Sequence, residues 1–339
     1  MPNTIRNYRS TDLEAIVTLL NAADTFDKTE EGASIAETRD FFSTPGLTPE
    51  ENVFVAEEDG RIVGYAILRA AKSDTETTFR TWYQVHPIRR GRGLEERLLN
   101  RLHARAEERL GECATETVNF DSMVVLPDAA RRALFERFAL REVRRLWRMV
   151  RPLPHDLTEP EFPEGIITRR YRIGEDDAAM HRADTEIFRD HWGHTDEPLE
   201  MWQHYVAQPM FRPDLTVIAE NLATREIAGY CTIAVNNEEN KRLGVKRGWI
   251  DILGVRRAYR RQGLGTALLV AGLHALRGAG LIQAALGCDS ENVTGATRIY
   301  ERVGFRVDRT RIIMRKRMRG PRAEAAGVAQ HQQSQVASS

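Results

Sequence analysis

The chain repeats itself, and the repeat limits its possible folds more than any single motif does. Val53-Phe54-Val55-Ala56-Glu57 returns as Val217-Ile218-Ala219-Glu220, and Ile62-Val63-Gly64-Tyr65 returns as Ile227-Ala228-Gly229-Tyr230. The segment 166–171 echoes 5–9, and Arg298-Ile299-Tyr300-Glu301-Arg302 echoes Ala133-Leu134-Phe135-Glu136-Arg137. Val85 precedes Gly93 by the same interval that separates Val255 from Gly263. A period this long means two copies of one domain. Each copy reads strand, helices, strand hairpin, strand, helix, strand, helix, strand, which predicts an α/β fold with a mixed, twisted sheet flanked by helices.

Local signals place the elements of the first copy. Leu13, Ile16, Val17 and Leu20 form a helical stripe behind Thr11 and Glu14, which have capping-box spacing. A short helix is expected over 37–42 and a hairpin around Asp59-Gly60, with strands 53–57 and 62–68. A strand follows at 81–85, then a helix marked by Leu94, Leu98, Leu102 and Ala106, strand 117–120, helix 128–138 and strand 141–150. Pro152, Pro154, Pro160 and Pro163 make 152–165 a linker. The expected division is a first domain over 1–151, the linker 152–165, a second domain over 166–318, and a disordered Ala, Gln and Ser-rich tail over 319–339.

The segment 255–266 carries the chemistry. A short apolar run over 249–253 reads as a strand, and Leu264, Leu268, Ala271 and Ala275 recur at helical spacing. The basic, glycine-containing stretch between them therefore opens a helix. A helix N-terminus offers unpaired N–H groups and partial positive charge, and Gly263 and Gly265 let a ligand approach the backbone. Arg256, Arg257, Arg260 and Arg261 add charge, so the segment reads as a pyrophosphate cradle. Its spacing is neither the dinucleotide fingerprint nor a P-loop.

Arg260-Arg261-Gln262-Gly263-Leu264-Gly265 resembles the acyl-CoA signature Arg/Gln-x-x-Gly-x-Gly/Ala of the GCN5-related N-acetyltransferases (GNAT). The element order matches that fold twice, as in the tandem two-domain members. The resemblance implies acetyl-CoA as co-substrate, held by Leu253, Val255, Arg260, Arg261, Gln262, Gly263, Leu264, Gly265, Thr266 and Asn292. It implies a bulged strand, with Gly254 at the expected bulge, whose Val255 N–H serves as oxyanion donor. On an expected helix over 294–303 it implies Tyr300 as the general acid that protonates the CoA sulfur. A glutamate that often lies six residues before Val255 is replaced by Trp249, a candidate substrate-binding residue that suits an acceptor apolar or aromatic in part, or one already deprotonated when it binds. Asp251, two residues on and on the same strand face, is the candidate base, directly or through water; it reads equally as a carboxylate paired with an arginine. His191, Trp192 and His194 follow the second copy's first helix, as an acceptor-site wall or as a plain helix end. Glu220 is a lesser candidate, and Trp202, His204 and Tyr205 read as core and face residues of a helix.

The copies differ where chemistry would sit. Gly265 corresponds to Glu95, Tyr300 to Phe135, and Asn292 to Pro127. A carboxylate suits the first turn of a helix but repels a diphosphate there. The first copy is therefore expected to be degenerate, with the catalytic site in the second.

Composition narrows the partners. Lys+Arg 49 balance Asp+Glu 49, which leaves no global footprint for nucleic acid. Cys113, Cys231 and Cys288 have neither disulfide-framework nor zinc-site spacing, and no metal is expected. No apolar run is long enough for a membrane, so a cytoplasmic protein acting on a small-molecule amine is the expectation. Two other readings stay open: a non-catalytic acyl-CoA-binding regulatory module, and an acyltransferase for a protein or other macromolecular amine. Oligomeric state and acyl-chain length are not encoded in any motif.

Overall fold

The computed structural model describes residues 4–320 except 196, 293 and 294. The first half runs β1 (Thr4–Asn7), α1 (Leu13–Asp27), α2 (Ile35–Phe42), α3 (Pro49–Asn52), β2 (Val53–Glu58), β3 (Arg61–Lys72), β4 (Glu76–Val85), α4 (Leu94–Glu108), β5 (Thr117–Val125), α5 (Ala129–Arg137) and β6 (Arg141–Pro152). The second runs β7 (Ile166–Arg170), α6 (Asp177–Phe188), α7 (Leu199–Val206), β8 (Val217–Asn221), β9 (Ile227–Ala234), α8 (Asn237–Leu243), β10 (Arg247–Val255), α9 (Leu264–Gly278), β11 (Gln283–Asp289), α10 (Ala296–Arg302) and β12 (Arg306–Arg319). The repeat read from the sequence is thus a repeat of elements, with α8 as an insertion in the second half.

All strands join one 12-stranded sheet in the order β1-β2-β3-β4-β5-β12-β6-β11-β10-β9-β8-β7. The last strand of each half lies against the other half. β12 pairs antiparallel with β5, with Ile312 opposite Val124, and β6 pairs antiparallel with β11, with Ala285 opposite Val150. The two traded strands pair with each other at the centre. The chain-order division at 152–165 is therefore not the spatial division of these strands, and the halves are tied by continuous backbone ladders. Arg148 of β6, almost fully buried, reinforces the junction through Asp308 (2.7 Å) and Glu30 (3.1 Å), and Glu30 also meets Arg247 at 2.7 Å.

The proline-rich segment is a strap and not a free spacer. Its Leu157 and Phe162 pack on the second core, and its Thr158 carbonyl lies 2.9 Å from His274 Nε2 on α9. Arg319, placed in the tail from sequence, is the last residue of β12 and Gly320 follows it; residues 321–339 lie outside the described residues. The expected Thr11–Glu14 capping pair is also replaced. The Asp12 carboxylate accepts the Arg9 N–H (2.7 Å) and both Arg6 amino groups, so a stronger charged acceptor takes the helix entry.

Helices cover both faces. Leu94, Leu98, Leu99 and Leu102 of α4 are buried against β3 and β4, and Leu264, Leu268, Leu269 and Leu273 of α9 occupy the matching place on β9 and β10. Helices α1 and α6 cover the opposite face of their halves. All of β9 is buried, and its Gly229 is required by close approach: a Cβ there would stand 2.7 Å from the Gly254 carbonyl oxygen and 3.0 Å from Leu268. Gly229→Ala is expected to cost about 1–3 kcal/mol by overpacking, read as a lower denaturant midpoint at unchanged m-value.

Candidate active site

The site is built where β10 leaves β11. The two strands pair in parallel only from Arg247↔Gln283 to Ile250↔Leu286, while β10 runs on to Val255. Against β9 the register shifts between Ile250 and Leu253. The bulge therefore falls on Asp251 and Ile252, not on Gly254 as the sequence suggested. Its cause is cross-strand: Thr232 Oγ1 accepts the Ile252 N–H at 2.9 Å and takes the place of a ladder partner. Gly254 has another reason to be glycine, since a Cβ would meet Ile187 and Tyr230 at 3.2 Å.

Beyond the bulge, the Arg256 N–H donates to the Ala228 carbonyl (3.0 Å), which makes that pair hydrogen-bonded. Alternation along an antiparallel ladder then turns the peptide groups of Leu253 and Val255 toward the gap left by β11. These are the backbone groups that an extended ligand adding itself as a strand would meet.

The loop after Val255 makes a short 3-10 turn (Arg257–Tyr259) and enters α9 with Gly263 in the left-handed region, φ +85°. Its four arginines have different tasks. Arg256 pairs with Glu226 and with Glu186 (3.2 Å), and Arg257 pairs with Asp190. Arg260 turns inward, donating to the carbonyls of Val255 (2.9 Å) and Ile187 (3.1 Å), so its guanidinium braces the loop. Arg90 does the same in the first half, donating to the Val85 carbonyl at 3.1 Å. Arg261 is exposed and has no carboxylate partner among the described residues, which leaves it available to an anion. The Gln262 amide donates to Ala258, the Leu264 side chain is core, and a Cβ on Gly265 would make only ordinary contacts with Val255 (3.7 Å) and Ile299 (3.9 Å). Along with Thr266, these residues present backbone N–H groups at the start of α9. Asn292 forms the turn before α10, its carbonyl accepting the Gly295 N–H at 3.2 Å; Thr294, expected to open that helix, lies outside the described residues.

Tyr300 projects from α10 into the second core, its ring edge-on to Phe305. Burial first, then the nearby Cys288 and Cys231 thiols, raise the phenol well above its ordinary pKa, so it stays protonated near neutrality. Asp251 lies on the opposite face. Its side chain is open to solvent at one end and crowded by protein elsewhere; the crowding raises its pKa, while the Tyr205 hydroxyl, donating at 2.8 Å, pulls it back. From sequence Tyr205 reads as a core or face residue of a helix and not as part of the site. Its ring packs against the core, but its hydroxyl serves Asp251 and lies 3.0 Å from Thr232 Oγ1.

A second carboxylate on this face was missed. Asp184 of α6 accepts a hydrogen bond from Tyr230, and burial raises its pKa against the lowering effects of Tyr230, His181 and His194. No local motif marks Asp184; only the packing of α6 on β9 brings it in. His191 stacks edge-on with Phe188 and is kept neutral by burial and then by Arg260. Trp192 instead lies over Arg315 (5.2 Å) and Arg144 (5.5 Å) of the traded strands, and with His194 it lines a junction cavity toward the first half. Trp249 donates to Glu239 of α8 at 3.2 Å, and Glu239 lies 3.4 Å from Arg247, which reaches Glu30 of the first half. Glu220 is buried in a clamp with Arg169 (2.6 Å) and Arg225 (2.8 Å) and is not part of the site. Trp202 is core, as expected.

The first half fills the matching positions with its own side chains. The Glu95 carboxylate accepts the Gly91 N–H at 2.9 Å and so fills its own helix-entry cradle. Arg131 of α5 reaches into the gap beside β4 and donates to the Tyr83 carbonyl (3.0 Å) and the Gln84 side chain (2.7 Å), while stacking on Trp82 and Tyr83. Tyr83 corresponds to Leu253, and Arg131 to Ala296. A cavity of about 790 Å³ remains beside these residues, lined among others by Arg90, Glu95 and Arg131. The space is wide, but its polar anchors are taken from within. At the corresponding places the second half has Gly265 and Ala296, which carry no polar side chain.

Among the described residues no group of three His, Cys, Asp or Glu side chains converges on a metal position, and no helix is long and apolar enough to cross a membrane.

Comparison with known proteins agrees with this geometry. Residues 178–305 match the model of the acetyltransferase (GNAT) family, and residues 49–138 match that of an acetyltransferase (GNAT) domain. The chain is 36% identical over 221 residues to the mycothiol acetyltransferase of Thermobispora bispora, spanning 65% of this chain and 70% of that protein. It is 30% identical over 262 residues to the mycothiol acetyltransferase of Saccharopolyspora erythraea, spanning 75% and 82%. Its structure is similar to that of a GCN5-related N-acetyltransferase from Sphaerobacter thermophilus, with TM-score 0.74 and 26% identity over 94% of this chain and 97% of the other. A tandem GNAT protein from the clavulanic acid biosynthesis pathway shares the fold at TM-score 0.67 and 19% identity, over 95% and 100%.

Proposed function

Because the chain belongs to the acetyltransferase (GNAT) family, we propose that its second half is the catalytic one and that it transfers an acetyl group from acetyl-CoA to the primary amine of a small molecule. One contrast carries this reading: Gly265 and Ala296 leave anchors open in the second half that Glu95 and Arg131 fill in the first. The residues present suit an acyl-CoA. The α9 entry N–H groups and Arg261 would hold the diphosphate, and the peptide groups of Leu253 and Val255 would line the pantetheine arm. Bound there, the co-substrate supplies the acyl group as a thioester.

The chain's own groups supply the rest. The Val255 N–H donates to the thioester oxygen as charge develops on it. Asp251, held by Tyr205, takes a proton from the acceptor amine directly or through one water. Tyr300 donates its proton to the leaving sulfur. The relatives named mycothiol acetyltransferases make the mycothiol-forming amine the first acceptor to test.

The test is the pH profile of an Asp251→Asn variant. Because the Asp251 pKa is raised, kcat/KM of the wild type should climb with pH along a limb set above the ordinary carboxylate range. Asp251→Asn should lower turnover on the order of 100-fold and remove that limb. Stability should move the other way. A carboxyl whose folded pKa exceeds its unfolded value is unstrained at low pH and loses stability as pH rises through the folded pKa. At neutral pH the asparagine variant should therefore melt no lower than the wild type. An unchanged limb would transfer the base role to Asp184.

A further inference from the structure

A cavity of about 370 Å³ opens where the halves meet, on the sheet face covered by α1 and α6. Its floor holds Arg80 and Asp121 of β4 and β5 with Arg315 of the traded β12, and its roof is the second-half loop at Trp192. The volume is that of a small-molecule site. It spans β4, β5, β12 and the edge of β6, and β11 lies between it and β10, so it is not the acyl-CoA gap.

Glu76, Asp121, Arg80 and Arg315 line it, and both carboxylates are taken by Arg315, Glu76 at 3.6 Å. Arg315 is held by both Asp121 oxygens at 2.7 and 2.9 Å. Arg144, under the same tryptophan, is held by Asp289 (2.8 Å) and Glu291 (2.9 Å). Arg69 faces Glu197 at 3.8 Å. Arg80 donates one hydrogen bond, to the Gly193 carbonyl at 2.9 Å, and forms no ion pair among the described residues. Arg80 is open to solvent on one side; protein crowding first, then Arg69, lower its pKa against the raising effects of Asp121 and Glu197. Above it the Trp192 ring is 38% exposed, a flat apolar surface at the mouth, and Leu146, Met123 and Ile313 give apolar walls.

We propose that this junction cavity binds a small planar carboxylate, with Arg80 pairing the carboxylate and Trp192 stacking on the ring or plane that carries it. A cationic ligand is disfavoured by Arg80 and Arg69, and a neutral one leaves Arg80 unpaired. The roof loop also carries His191 and His194, the latter acting on Asp184.

The experiment titrates the full chain with benzoate, benzamide and benzylamine, reading melting temperature and tryptophan emission. Benzoate should bind with a dissociation constant on the order of 1 mM, raise the melting temperature and shift the emission. Benzamide and benzylamine should do neither. Arg80→Gln should abolish benzoate binding, Arg80→Lys should keep part of it, and Trp192→Phe should weaken it. Acetyl-CoA titration of Arg80→Gln checks that the variant is folded; should it not fold, the lysine and Trp192 variants carry the decision. Absence of benzoate binding to the wild type, equal binding of benzamide, or benzoate binding that survives Arg80→Gln would overturn the proposal.

Discussion

Replacing Tyr300 with phenylalanine is expected to lower kcat on the order of 100- to 1,000-fold while leaving acetyl-CoA affinity and folding almost unchanged. The fold itself provides the control. At the matching position the first half already carries Phe135, fully buried and edge-on to Tyr83 at 6.0 Å, so the site on this helix accepts the smaller residue. In the second half the ring of Tyr300 packs on Phe305 at 6.3 Å, and that packing does not involve the hydroxyl. What the substitution removes is a proton held on oxygen by burial and by two nearby thiols. If that proton goes to the departing sulfur, its loss strikes turnover and spares binding. Pre-steady-state mixing with acetyl-CoA and an amine, read by release of the CoA thiol, separates the two. A fall in affinity with kcat retained would make Tyr300 a packing residue and move the acid elsewhere.

Much of this was legible in the sequence, for reasons that can be named. The cradle was readable because a strand, a basic loop, Gly263 and a leucine stripe follow one another within a short span, and each signal is local. The same holds for Gly93 and α4 in the first half. The bulge was placed two to three residues late, because its position is set by Thr232 on another strand. The traded strands could not be read at all. β6 and β12 are both arginine-rich and alternate alike, and which neighbour each chooses depends on contacts far apart in sequence. Trp192 was read as acceptor wall from its place after α6, but which surface it faces is set by the traded strands, whose Arg315 and Arg144 lie against its ring. Arg131 was the informative miss. Setting the two copies side by side places it against Ala296, and a long cation in one copy against a methyl in the other marks a filled gap against an open one. Asp184 had no such signal, since only tertiary packing brings it beside Tyr230.

The central claim is that one half binds the co-substrate and the other is closed by its own side chains. The second large effect follows from it: Gly265→Glu should abolish acetyl-CoA binding. The first half shows the route, since Glu95 at the matching position folds back to accept the Gly91 N–H at 2.9 Å and puts negative charge where a diphosphate would sit. A Cβ at Gly265 meets nothing closer than 3.7 Å, so the variant should fold, and loss of binding would come from the carboxylate and not from strain. Gly265→Ala should then bind almost normally.

The most direct test is the binding stoichiometry of acetyl-CoA by titration calorimetry on three proteins: the wild type, Gly265→Glu, and a double variant Glu95→Gly with Arg131→Ala. One site per chain in the wild type, none in Gly265→Glu, and a second, weaker site in the double variant is the predicted result. Two sites in the wild type, or one site that persists in Gly265→Glu, would contradict it, because either would mean that Glu95 and Arg131 do not close the first half.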